Sequence, residues 1–448
     1  MTHPPVAQGS ASAPRAAEAR RVVWATFLGT TIEWYDFFLY AACAALVFGP
    51  QFFPAEHPTA GQLGAFATFA VGFLVRPLGG ALAGHFGDRI GRKRMLVVSL
   101  FIMGISTVLV GVIPNFEQIG IWAPILLTVM RLCQGLGVGA EWGGAVTMAV
   151  EHAPENKKSL YGSAPMAGLP AGLLLSNLAL IVLLAITGPN FTTWGWRIAF
   201  LGSFLLILVG IWSRKNVAES PLFEESAKKA PVRVPLGALL KSHKLALVCT
   251  TFIAGIPGIL AYLVLTWALN YGTTTVGYDQ DTLLWIGIVV CLVQLVMLPW
   301  LASLADKSGY LRMSIVGGFA MAATALLFFP LFETGNVLLA LIGTVVAHAS
   351  TTIVYAVVPP ILTNAFPVEI RYTGISVAYQ IGGIIGGGIA PLIAASILAR
   401  TGNTFFISLY VVLASAVMLV SILVLRRYRG SVDRFSRAKP AMDEPAIG

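Results

Sequence analysis

Charge is what this chain has least of. Asp, Glu, Lys and Arg make up 11% of its 448 residues, against 57% for the apolar types. A surface that faces water carries about 25% charged residues. The shortfall excludes an ordinary soluble domain of this length, and lipid is the simplest replacement for water around it. Cysteine is scarce too. Cys43, Cys133, Cys249 and Cys291 each fall inside an apolar run and none forms a CxxC pair, so neither a disulfide framework nor a metal site is indicated. No nucleophile–base pair or metal-ligand spacing occurs, so no catalytic residue is assigned and an enzyme is not expected. No basic cluster is interleaved with exposed aromatics, so the net charge of +9 does not point to nucleic acid. No cofactor is expected. A secretory leader is not expected either: the first apolar run, 22–48, is too long for one and should stay as a membrane span.

What is present is a series of long apolar runs. They predict twelve helical spans at 22–48, 61–87, 95–113, 120–150, 159–186, 196–213, 245–272, 282–304, 313–332, 336–360, 374–399 and 404–425. Period-two alternation is absent, which excludes a β-barrel. The expected organisation is a disordered tail over 1–21, a six-helix bundle over 22–213, a connector over 214–244, a second bundle over 245–425 and a tail over 426–448. With both termini inside, 25 of the 29 Lys and Arg residues fall on inner segments, so both termini are expected to be cytoplasmic and the basic face to meet anionic lipid.

The two halves echo each other. GHFGDRIGRKR (Gly84–Arg94) follows span 2, and ASLADKSGYLR (Ala302–Arg312) follows span 8, 218 positions on (302 − 84). Asp88/Asp306, Arg89/Lys307, Gly91/Gly309 and Arg94/Arg312 keep the same offsets. A second echo joins APENKKSLYGS (Ala153–Ser163) to FPVEIRYTGIS (Phe366–Ser376). Two related bundles around a midplane site predict an all-α transporter that works by alternating access.

The GxxxDRxGRK loop resembles the signature of the major facilitator superfamily. Within it the chain is similar to the metabolite:proton symporter family, through GTTIEWYDFFLY (Gly29–Tyr40), RPLGGALAGHFGDRIGRKR (Arg76–Arg94), RLCQGLGVGAEWGGA (Arg131–Ala145), WGWRIAF (Trp194–Phe200), AESPLF (Ala218–Phe223) and FPVEIRYTGIS. YGSAPMAGLPAGLLLS (Tyr161–Ser176) is most similar to the shikimate-like branch. The resemblance implies a proton gradient as energy source, a small-molecule cargo from among organic acids or proline- and betaine-like zwitterions, a bacterial-type inner membrane, and function as a monomer. It also implies a conformational latch from Gly84, Asp88, Arg89, Gly91, Arg92, Glu151, Asp306, Gly309 and Arg312, with Asp88 at the N-terminus of span 11 near Tyr372–Gly374, where a helix welcomes an anion. Antiporters of the superfamily carry a Gly-Pro dipeptide in span 5; here the order is Gly168-Leu169-Pro170, which makes efflux the second reading.

Five ionisable residues lie deep in the first half: Glu33, Asp36, Arg76, Arg131 and Glu141. Charges inside a membrane are costly, face the bundle interior and are functional by default. Counting positions from the basic end puts Glu33, Arg76 and Glu141 at one level, where Arg76 can bridge both acids, with Asp36 a turn further on and within reach of Arg131. Three acids against two arginines leave one carboxylate without a full partner, suited to taking up and releasing a proton; Glu33, Asp36 and Glu141 are the candidates. The bland alternative is a fixed network that holds spans 1, 2 and 4 together. Arg76 has the planar fork that suits a substrate carboxylate, and Arg131, Tyr35 and Gln134 are grouped with it. In the second half Trp267, Tyr271, Gln294, Tyr355 and Tyr379 are the candidate substrate contacts, and His348 reads as a packing residue. GLGVGAEWGG (Gly135–Gly144) lies mid-span with no preceding strand, so it reads as a helix-packing surface rather than a dinucleotide loop.

Overall fold

The structure, a computed structural model, describes residues 13–53, 58–215, 217–227 and 235–437, and among them it is helical without a strand. In lipid a helix satisfies every backbone N–H and C=O internally, so apolar runs of this length have no better conformation. Among the described residues eleven helices are long and apolar enough to cross a membrane, and a bent pair, Ala17–Cys43 and Leu46–Phe52 at 44°, makes a twelfth when taken as one span. In order, span 1 is Ala13–Cys43 continued to Phe52, span 2 Pro58–Ile90, span 3 Arg92–Val112, span 4 Trp122–Glu151, span 5 Lys158–Thr187 and span 6 Gly195–Lys215. Span 7 is Lys244–Tyr262 prolonged by wide turns to Val276, span 8 Gln280–Ser308, span 9 Tyr310–Phe332 and span 10 Val337–Tyr355 with Val358–Ala365. Span 11 runs from Arg371 to Thr401 through a π turn at Ile384–Ile389, and span 12 is Phe405–Arg437.

Three sequence boundaries are corrected. Helix begins at Ala13, so 13–21 extend span 1, while 1–12 lie outside the described residues. Helix continues to Arg437, where a tail was expected from 426; 438–448 lie outside the described residues. The connector carries two short helices, Pro221–Ala227 and Pro235–Ser242, and Arg214 belongs to span 6.

Large apolar side chains such as Leu74, Val296, Phe319, Leu392 and Leu413 point outward and lie exposed, as lipid-facing positions should. Small residues set the internal spacing. A Cβ on Gly135 would lie 2.4 Å from the Gly72 carbonyl oxygen, and one on Gly139 2.1 Å from that of Arg76, so the glycine run of span 4 lets span 2 approach backbone to backbone. That contact fixes where Arg76 sits.

Candidate functional site

The halves meet at the end that carries Arg92, Lys93 and Lys158, called here the basic end. Asp88 Oδ1 accepts from the backbone N–H of Tyr372 at 3.1 Å; its Oδ2 accepts from the backbone N–H and hydroxyl of Thr373 at 2.9 and 2.7 Å. An anion thus caps the N-terminus of span 11, where the first backbone N–H groups lack helical partners. Asp306 does the same for span 5, accepting from the N–H groups of Ser159 and Leu160 at 2.7 and 3.0 Å. The second sequence echo pairs these donors, since Ser159 and Tyr372, like Leu160 and Thr373, are 213 apart (372 − 159 and 373 − 160). Gly91 and Gly309 follow both acids with φ of +113° and +95°, a backbone that disfavours other residues. A Cβ on Gly84 would lie 2.4 Å from Thr373 Cα, so the seam closes only around glycine.

Behind Asp88, Glu151 is ion-paired to both Arg92 and Arg371, the latter at 2.6 Å, and Ser220 hydrogen-bonds the same carboxylate. Arg371 and Ser220 were not singled out from sequence. Arg371 stands one residue before the capped donors; Ser220 sits in the AESPLF stretch. Arg89 is exposed beside His85, and Arg312 is exposed; neither joins the seam. Both point to the outer surface of their helix ends.

A cavity opens above this seam, walled by both halves. Glu33, Trp34, Phe73, Arg76 and Trp142 face Tyr262, Gln294, Tyr355, Tyr379 and Gln380 across it. Arg76 is 8% exposed, and no ion pair among the described residues uses it; its Nε has no hydrogen-bond partner. Its guanidinium carbon lies 4.3 Å from the Phe73 ring centre, 4.7 Å from Phe37 and 5.8 Å from Trp34. Aromatic faces hold a cation without neutralising it. Glu33 is buried on the same wall, with Oε2 unpartnered.

The expectation that Arg76 bridges Glu33 and Glu141 is corrected. Glu141 is paired to Arg214 and accepts from Ser99 at 3.1 Å, because Arg214 stays inside the bundle as the last turn of span 6. That arginine was read from sequence as part of the connector. Asp36 is held by neutral donors, Thr107 at 2.8 Å and Ser203 at 3.0 Å. Gln134 donates to Thr107 and accepts from Arg131, so a relay joins Arg131 to Asp36. Asp36, Arg131 and Gln134 therefore form a buried network inside the first half, outside the cavity lining.

Tyr355, Tyr379 and Gln294 line the cavity, and Tyr379 stacks on Trp142 with ring centres 3.4 Å apart and planes at 9°. Trp142 and Tyr262 were the aromatics undervalued in the sequence; Trp142 follows Glu141 directly and so faces a different side of span 4. Three assignments are corrected. Tyr35 turns into the first bundle and donates to the Ala199 carbonyl at 3.3 Å. Trp267 and Tyr271, a helical turn apart, stack at 4.9 Å, and Tyr271 donates to Glu333 at 2.9 Å, away from the cavity. Trp196 is fully buried among Phe48, Phe52 and Phe200, whereas Trp194 and Trp285 are exposed.

Comparison with known proteins agrees with this fold. The model of the "Sugar (and other) transporter" family matches residues 22–231. The chain is 39% identical over 419 residues to the shikimate transporter of Escherichia coli, covering 92% of this chain and 95% of that one. It is 38% identical over 416 residues to the inner membrane metabolite transport protein YhjE of the same organism, covering 91% and 94%. It is also 29% identical over 428 residues to the proline/betaine transporter of Salmonella typhimurium, covering 93% and 85%. The MFS proton:xylose symporter XylE, solved with 6-bromo-6-deoxy-D-glucose, superposes with a TM-score of 0.73 at 19% identity, over 92% of this chain and 96% of that one, a likeness of fold. XylE from E. coli in an inward-open conformation superposes with a TM-score of 0.60 at 17% identity, over 90% and 95%.

Proposed function

We infer that this chain, a member of the major facilitator superfamily on the branch that holds the shikimate and related metabolite transporters, is a proton-coupled importer of a small organic acid. It is a multi-pass membrane protein and a transporter rather than an enzyme. The finer reading rests on one observation: Arg76 faces the central cavity without an ion-paired acid, held by three aromatic rings beside the buried Glu33. A substrate carboxylate supplies the missing partner in the bidentate form that a guanidinium favours. Its arrival beside Glu33 disfavours a second negative charge, so Glu33 enters the cycle with a proton. Asp36, bonded among the described residues only to hydroxyls, is the second carrier, and the Arg131–Gln134–Thr107 relay ties its state to span 4.

The basic end is cytoplasmic in this reading, and the protein resides in a bacterial cytoplasmic membrane. The closed seam then describes a state that loads from outside. Breaking the caps on spans 5 and 11 releases substrate and proton inward. The test is transport by vesicles in weak buffer: adding the transported acid should alkalinise the medium. A panel of organic acids that produces no alkalinisation overturns it.

A second reading, a zwitterion symporter, is favoured by the aromatic walls formed by Trp142, Tyr262 and Tyr379, which suit a quaternary ammonium, and by the proline/betaine relative. Competition between betaine and simple carboxylates for uptake separates the two.

A further inference from the structure

Next to the central cavity, and sharing Leu169, Tyr262, Gln294 and Tyr355 with it, is a second chamber of about 250 Å³ between spans 5, 7, 8 and 10. It extends away from the basic end. Leucines of spans 5, 7 and 8 form much of its apolar wall, and among the described residues no Asp, Glu, Lys or Arg lines it. Two side chains in that wall are unsatisfied. His348 is 3% exposed, and neither ring nitrogen has a hydrogen-bond partner; Gln294 is 5% exposed, with Oε1 unpartnered. Buried polar groups without partners are rare because each costs about 1–3 kcal/mol. Two that line one chamber, joined to a cavity with an unneutralised arginine, mark a place where hydrogen bonds arrive with a ligand.

We propose that this chamber is the second half of the substrate site and reads the uncharged, hydroxyl-bearing part of a monocarboxylate whose acid group sits at Arg76. The proposal rests on the carboxylate reading of Arg76 given above. The apolar wall takes the carbon skeleton, while Gln294 Oε1 accepts from one hydroxyl and the His348 imidazole exchanges hydrogen bonds with another. Polar groups few in number on an apolar wall fix orientation in this way. The same geometry selects against dicarboxylates. A second carboxylate would lie in the chamber with no cation to pair it, and an unpaired buried charge is strongly unfavourable.

The experiment is calorimetric titration of the purified full chain with matched acids. The hydroxylated probes are shikimate and quinate. Their partners without ring hydroxyls are cyclohex-1-ene-1-carboxylate and cyclohexanecarboxylate, and the dicarboxylate probes are succinate and fumarate. At least one hydroxylated acid should bind about tenfold or more tightly than its partner, the worth of one good hydrogen bond, and both dicarboxylates should bind more weakly than it. Gln294→Met and His348→Leu should each reduce that ratio several-fold, while His348→Gln, which keeps a donor and an acceptor, should retain most of it. Because the ratio is taken within one preparation, a partly unfolded variant does not distort it. Equal binding of both members of each pair, dicarboxylates that bind best, or variants that leave the ratio intact overturns the chamber's role. If no acid in the panel binds the unaltered chain, the carboxylate reading falls and the chamber's role falls with it.

Discussion

Asp88→Asn should open the basic end. The carboxylate receives three hydrogen bonds from span 11, at 2.7–3.1 Å, and the substitution is nearly isosteric. Asn keeps one oxygen able to accept, but its amide nitrogen faces donors, and the charge that favours a helix N-terminus is gone. Hydrogen bonds to a charged group are worth about 1.5–3 kcal/mol each, and the helix-end interaction adds about 0.3–1 kcal/mol. Losing at least one full bond and weakening a second comes to about 3 kcal/mol, or about a hundredfold in the closed-to-open ratio. The measurement is electron–electron distance spectroscopy between spin labels at Arg89→Cys and Arg312→Cys, exposed positions on opposite halves, with the four native cysteines replaced. The Asn variant should shift the distribution to a longer, open population. Asp306→Asn, which removes a carboxylate receiving two bonds, should shift it less. Identical distributions in the parent and in Asp88→Asn would refute the latch.

Arg76→Met should abolish acid binding, and Arg76→Lys should weaken it by about tenfold or more because a bidentate fork is replaced by a point charge; equilibrium titration checks both. Asp36→Asn should end concentrative uptake yet leave exchange of substrate across the membrane, seen in counterflow assays without a pH gradient. Glu141→Gln should lower thermal stability by about 3–5 kcal/mol, since it strands Arg214 inside the bundle. The double variant with Arg214→Met should recover most of that loss in a thermal melt.

The spans and the repeat were legible in the sequence because each rests on local pattern: apolar length, loop chemistry and a fixed offset between copies. The Asp88 cap on span 11 followed from the family resemblance, and the Asp306 cap on span 5 was not foreseen. That Glu33 and Arg76 could reach one cavity was legible for the same reason as the spans. Which acid meets which base was not. Residue counting gives depth, but pairing depends on how helices rotate about their axes, and that is set by contacts such as Gly139 against the Arg76 backbone. Arg214 escaped notice because a charge at the edge of an apolar run reads as the start of a loop. Tyr35 and Trp267 were misassigned because an aromatic in a span has several buried destinations, and only one of them is the cavity.

The two seams at the basic end are unequal. The one between spans 2 and 11 has three bonds to its acid, with Arg92, Glu151, Arg371 and Ser220 clustered behind it. Its twin between spans 5 and 8 has two, and the repeat places Tyr310 where the first seam has Arg92. A clasp stronger on one edge yields first on the other, so the bundles should part like a book whose spine runs along spans 2 and 11. In the import reading proposed above, cargo would leave past spans 5 and 8, the fore-edge of that book.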